Sequence, residues 1–193
     1  MHATPDQAAA DARALDLLMP LQFFYLREGR LVPPIQFIDG LEMPEPYAGL
    51  LVHQSDMTPS LREFHGSEIS LDVLDHEASK DYLMRAVVLK DADDRPVEFG
   101  AIGIRLEVFS ESLRKQVVGA AGPLGGLLEQ HRFPHSSSPK AYFRVNADRY
   151  ISVQLQCPIG TVLYGRCNAL LTRDSLTFAD IVEILPPHLN SNG

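Results

Sequence analysis

The spacing of apolar and polar positions changes character along this chain. From Asp6 to Met19, Ala14, Leu15, Leu18 and Met19 recur at helical intervals, Asp6 stands where a cap is wanted, and Pro20 interrupts the run. A helix over 6–19 is the expectation. The stretch from Pro33 to Pro46 carries Gly40, Pro44 and Pro46 as breakers and reads as irregular. Ile35, Phe37, Ile38 and Leu41 make it too apolar for a free linker, so it is expected to wrap over the body of the domain. Ser55 or Asp56 then caps a helix that runs through Met57, Leu61 and Phe64 to Gly66.

Beyond Gly66 the period becomes two. Ile69, Leu71 and Val73 alternate with polar neighbours as in a half-buried strand. Tyr82 to Lys90 and Val97 to Val108 form two more strands, and the short charged turn Asp91 to Arg95 between them requires an antiparallel pair. A helix with a Ser cap is predicted over 110–119, and a turn at Gly122-Pro123-Leu124-Gly125 leads into a short helix over 126–131. Phe133 to Lys140 reads as a polar loop. Strand-like segments follow at Ala141–Asn146, Val162–Leu171 and Leu176–Leu185, with a turn at Thr172–Ser175 and a less definite segment at Tyr150–Gln156. Pro186-Pro187 closes the last strand, and residues 188–193 form a frayed tail. The class is α+β: an antiparallel sheet of about six strands with helices on one face. The sequence has no βαβ rhythm, glycine-rich nucleotide loop or internal repeat. One domain over 1–193 is expected, with a helix and wrapping segment over 1–54 and the core over 55–187.

Composition narrows the function classes. Among 193 residues the formal charge is −8. That balance disfavours nucleic acid as a partner, because such binding rests on Lys and Arg neutralising phosphates. The longest apolar run, Leu15 to Leu26, is broken by Pro20 and Gln22, so no membrane span is expected. No basic leader precedes an apolar stretch, and the two cysteines, Cys157 and Cys167, have no metal-ligand spacing. The reading is a reduced, cytoplasmic protein with no metal.

Two charges interrupt apolar strands: Arg85 within Leu83–Leu89, and Glu183 within Ala179–Leu185. A charge in a buried strand is costly unless it is paired or holds a ligand. Arg85 and Glu183 therefore face solvent, pair with each other, reach out at a strand end, or line a site. Read singly, Asp56-Met57-Thr58 is a helix start, Gly122 to Gly125 a turn, and Tyr164-Gly165-Arg166 a strand with a bulge at its Gly.

The order of these features is more specific than any one of them. Asp56-Met57-Thr58 opens a helix, Arg85 sits in the next hairpin, and Pro96 and Gly100 lie in its second strand. Pro123-Leu124-Gly125 opens a short helix, and Leu163-Tyr164-Gly165-Arg166 opens a hairpin whose last strand carries Glu183 and ends in Leu185-Pro186-Pro187. The series resembles the chorismate lyase family over roughly Ser55 to Pro187. The resemblance implies an antiparallel sheet with two helical flaps closing a buried pocket. It implies elimination of pyruvate from chorismate to give 4-hydroxybenzoate, without a cofactor. Arg85 would bind the ring carboxylate and Glu183 would reach the para-hydroxyl end as the catalytic pair. Met57 and Leu124, with Thr58 and Gly125 beside them, would line the pocket. Ala101 stands where the family carries a second Arg after its Gly, which leaves Arg105 and Arg166 as basic groups for a second carboxylate. Two other readings compete with the lyase: a non-catalytic binding protein for a small aromatic carboxylate, and a structural domain with no ligand.

Overall fold

The computed structural model describes residues 5–187, with side chains from Asp16 onward. The expected tail over 188–193 and the Asp6 capping side chain lie outside what is described. Helices α1 (Pro5–Arg27), α2 (Tyr47–Leu51), α3 (Met57–His65), α4 (Glu111–Val118), α5 (Leu124–Gln130) and α6 (Arg149–Gln154) surround one sheet. Its strands are β1 (Ile35–Ile38), β2 (Ser70–Ala78), β3 (Tyr82–Lys90), β4 (Pro96–Arg105), β5 (His135–Asn146), β6 (Val162–Thr172) and β7 (Thr177–Leu185). They lie in the order β1-β5-β6-β7-β4-β3-β2, every neighbouring pair antiparallel. The α+β class with an antiparallel sheet is the expected chorismate lyase-like architecture. Seven strands replace the six foreseen.

Alternation along the central strands divides the molecule into two layers. Met84, Ala86 and Val88 of β3, Phe99 and Ala101 of β4, and Val182 and Ile184 of β7 face one way, against Leu18, Leu21, Phe24 and Tyr25 of α1 and Ile151 of α6. Leu83 of β3 and Ile102 and Ile104 of β4 face the other way, against α4 and α5. On that same face Leu89 and Leu185 meet α2 and α3. Helices thus cover both faces, where the sequence reading placed them on one.

Local departures have identifiable causes. Helix α1 continues through Pro20 to Arg27 instead of ending there. An interior proline costs about 3 kcal/mol, whereas burying Leu18, Leu21, Phe24 and Tyr25 against the sheet returns roughly 1.5–3 kcal/mol each. The irregular stretch after Pro34 contains β1, an edge strand on β5 with Ile35 opposite Val145. The polar loop foreseen at 133–140 is the first half of β5. Its serines pair with β6, Ser137 exchanges hydrogen bonds with Asn168 at 2.9 and 3.2 Å, and Pro139 falls at an irregularity where a missing N–H is tolerated. The indefinite segment near Tyr150 is α6, capped by Asp148, whose carboxylate also accepts from the Tyr25 hydroxyl at 3.0 Å and ties α6 to α1. At Gly165 there is no bulge. An added Cβ would collide with the Glu183 backbone carbonyl on β7 and with the Phe143 ring on β5, so the glycine gives both their room.

Candidate functional site

Five strands supply the floor of a cavity: Leu71 of β2, Arg85 and Val87 of β3, Glu98, Gly100 and Ile102 of β4, Ile181 and Glu183 of β7, and Asn168 and Leu170 of β6. The roof is made by the first residues of α3 (Met57 and Thr58, with Asp56 before them) and of α5 (Leu124 and Gly125, with Pro123 before them). Both roof segments belong to the helix starts singled out in the sequence. The cavity volume is about 60 Å³, well below the roughly 300–1,000 Å³ of pockets that take drug-sized ligands. As it stands it admits only a few atoms, and anything the size of a benzoate requires the roof to lift.

The two roof helices touch each other closely. A Cβ at Gly125 would lie 3.1 Å from Thr58 Oγ1 and 3.3 Å from Asp56 Cβ, so glycine is what lets α5 close on α3. Asp56 does not cap α3 with its side chain. It accepts from His135 Nε2 at 2.8 Å, and His135 Nδ1 lies 2.8 Å from the Phe133 carbonyl. This hydrogen bond to Asp56 raises the pKa of His135 above its ordinary value, against the opposing effect of burial. The pair fastens the start of α3 to the start of β5.

Arg85 and Glu183 share the cavity wall without pairing. Arg85 is 3% exposed and donates to the Val117 carbonyl at the end of α4 at 3.2 Å; its Nε is buried with no partner. Burial lowers its pKa to about 10, which leaves it cationic at neutral pH. Glu183 instead accepts from Arg166 Nε in a buried ion pair. The remaining Arg166 nitrogens donate to the carbonyls of Leu51, His53 and Ser55, each at 3.2 Å, in the link between α2 and α3. Arg166 is fully buried and each of its nitrogens has a partner, so among the described residues Arg85 is the cation of this wall without an acidic partner. Desolvation and the nearby Arg166 charge lower the pKa of His53.

The other predicted basic residue lies elsewhere. Arg105 is exposed at the end of β4, opposite Tyr82, and does not line the cavity. It shares strand parity with Ala101, and Ala101 packs in the layer beneath α1. Ala101 also borders the cavity, but by strand alternation a longer side chain at 101 would point into the layer beneath α1.

Glu98 was not singled out in the sequence. It is 4% exposed, and Oε2 has no hydrogen-bond partner. Burial first, and then the charge of Glu183, push its pKa well above the ordinary carboxylate range. Its signal was of the same kind as that of Arg85: a charge inside an apolar strand, on the face shared with Gly100 and Ile102.

No protein-family model and no curated protein matches this sequence. Solved structures do. PhnF from Mycobacterium smegmatis aligns with a TM-score of 0.54 at 9% identity, over 70% of this chain and 65% of that one. This chain therefore spans slightly less than two thirds of PhnF. The isolated effector domain of PhnF aligns with a TM-score of 0.51 at 11% identity, over 69% of this chain and 89% of that one. A GntR-family transcriptional regulator from Enterococcus faecalis V583 aligns with a TM-score of 0.45 at 13% identity, over 61% and 94%. The two PhnF likenesses establish a shared fold.

The chorismate pyruvate-lyase reading is corrected on these findings. The fold belongs also to an effector domain, so it does not carry lyase activity with it. Glu183, the expected partner of the ligand hydroxyl, is instead locked onto Arg166. The lyase, with pyruvate as its product, is therefore withdrawn. Among the described residues, no helix is long and apolar enough to cross a membrane.

Proposed function

We propose that this chain is a non-catalytic effector-binding domain that closes α3 and α5 over a small organic carboxylate anchored on Arg85. One observation carries the reading: a buried, cationic guanidinium in a cavity wall, held by a single carbonyl and by no acidic side chain, with its Nε unpartnered. Burying such a group is costly unless something of opposite charge meets it, and a carboxylate matches its planar fork. The walls beside it, Met57, Val87, Ile102, Leu124 and Ile181, suit an apolar or aromatic body. The likeness to the effector domain of PhnF supports ligand binding, not catalysis, as the output.

Calorimetric titration with 4-hydroxybenzoate tests this. The parent protein is expected to bind one equivalent and return it chemically unchanged, while R85M shows no heat of binding. R85M should also melt at or above the parental temperature, because replacing an unpaired buried charge with an apolar chain removes a desolvation cost. Binding by R85M equal to the parent's would contradict the proposal.

A further inference from the structure

We propose that Glu98 is a second ligand-reading residue of the cavity, whose carboxylic acid meets a neutral hydroxyl or carbonyl group on the ligand held by Arg85. The inference rests on the carboxylate reading above and names the other end of that ligand.

Position comes first. Arg85 lies opposite Ile102 on β4, and Glu98 is on the same face of β4, four residues away. Its carboxyl does not stay at its own level of the sheet. A Cβ built on Gly100 would come 3.0 Å from Glu98 Oε1, so the carboxyl lies over Gly100, in the space a side chain there would take. The Gly100 and Ile102 levels are two residues apart, about 6–7 Å along the strand. That offset suits a ring bearing one polar group at each end.

The surroundings decide the chemistry. Glu183 lies opposite Gly100 on β7 and holds the negative charge with Arg166 as its counter-ion. Arg166 spends its other nitrogens on backbone carbonyls, so no second cation is left for Glu98. Two ionised carboxylates this close in a buried wall repel, and the one without a cation keeps its proton. A buried, protonated carboxyl with an unpartnered oxygen is a hydrogen-bonding group lacking its complement, and leaving it unmet has a cost. A neutral hydroxyl or carbonyl supplies that complement without adding charge. With Arg85 matched by the ligand carboxylate, and Glu183 by Arg166 behind the wall, the buried charges then balance.

The test titrates the full chain with benzoate, 4-hydroxybenzoate and 4-(aminomethyl)benzoate in two buffers of different ionisation enthalpy. The parent is expected to favour 4-hydroxybenzoate over benzoate by about 3- to 10-fold. E98Q should keep that preference, since an amide both donates and accepts, and E98L should bring the ratio close to one. Independently of any ligand, an infrared carbonyl band of a protonated carboxylic acid should be present at neutral pH in the parent and absent from E98Q. A ratio near one in the parent, or a ratio preserved in E98L, overturns the role of Glu98 while leaving the Arg85 reading intact. Tightest binding of 4-(aminomethyl)benzoate with release of a proton would show that an ionised Glu98 takes a cation, and would overturn the neutral-acid assignment. Failure of the parent to bind any of the three would overturn the carboxylate reading and this proposal with it.

Discussion

At the scale of single residues, two buried arginines take contrasting roles, Arg85 in the cavity wall and Arg166 behind Glu183. Arg166 is structural: it is fully buried, paired with Glu183 and bonded to three carbonyls between α2 and α3. Removing one partner of a buried pair leaves the other uncompensated and costs about 3–5 kcal/mol. R166M should therefore lose about that much stability in urea denaturation, with part of it regained in R166M/E183M, where no charge is stranded. Equal stability of R166M and the parent would contradict this assignment. Arg85 has no such partner, and the proposed ligand carboxylate would supply one. In the sequence both arginines are only charges amid apolar strands. Their roles separate through register: continuing the hairpin pairing of Leu171 with Thr177 unchanged would set Arg166 opposite Val182, on the α1 face. The irregularity between Leu170 and Leu171 shifts it opposite Glu183 instead.

At the scale of elements, the roof is the working part. Gly125 allows α5 to reach α3, with Thr58 and Asp56 in van der Waals reach of any Cβ placed there. G125V is expected to hold the helices apart and speed ligand exchange several-fold, read by stopped-flow displacement, while strands β3 and β4 keep their amide protection. Unchanged exchange would remove α5 from the roof. The His135–Asp56 bond fastens α3 from the other side, and its pH dependence has a definite sign. The folded-state pKa of His135 is raised. Its contribution is therefore fully present below the unfolded value of about 6.5 and fades as pH rises through the higher folded value. The melting-temperature advantage of the parent over H135Q should shrink across that window, and an advantage that grows with pH would contradict the latch. The hairpins and the capped α4 were legible from period, turn chemistry and Ser110. Strand β1, the first half of β5 and the passage of α1 through Pro20 were not, because tertiary pairing and burial overrode prolines and serines that locally signal a loop.

At the scale of the whole molecule, a seven-stranded antiparallel sheet is packed on both faces, and one of them carries a small roofed cavity. The ordered motifs along the sequence led to the α+β architecture with its antiparallel sheet. They led to the wrong activity, because a fold constrains where a ligand sits far more than what happens to it. In the proposed complex the unpartnered Arg85 Nε–H finds its partner in a ligand carboxylate. The Arg85 side-chain Nε–H signal, followed by nitrogen-15 NMR as 4-hydroxybenzoate is added and assigned with R85M, reads that bond. A saturable downfield shift of that one proton in step with binding is expected. Binding that leaves the Arg85 signal unmoved would contradict it.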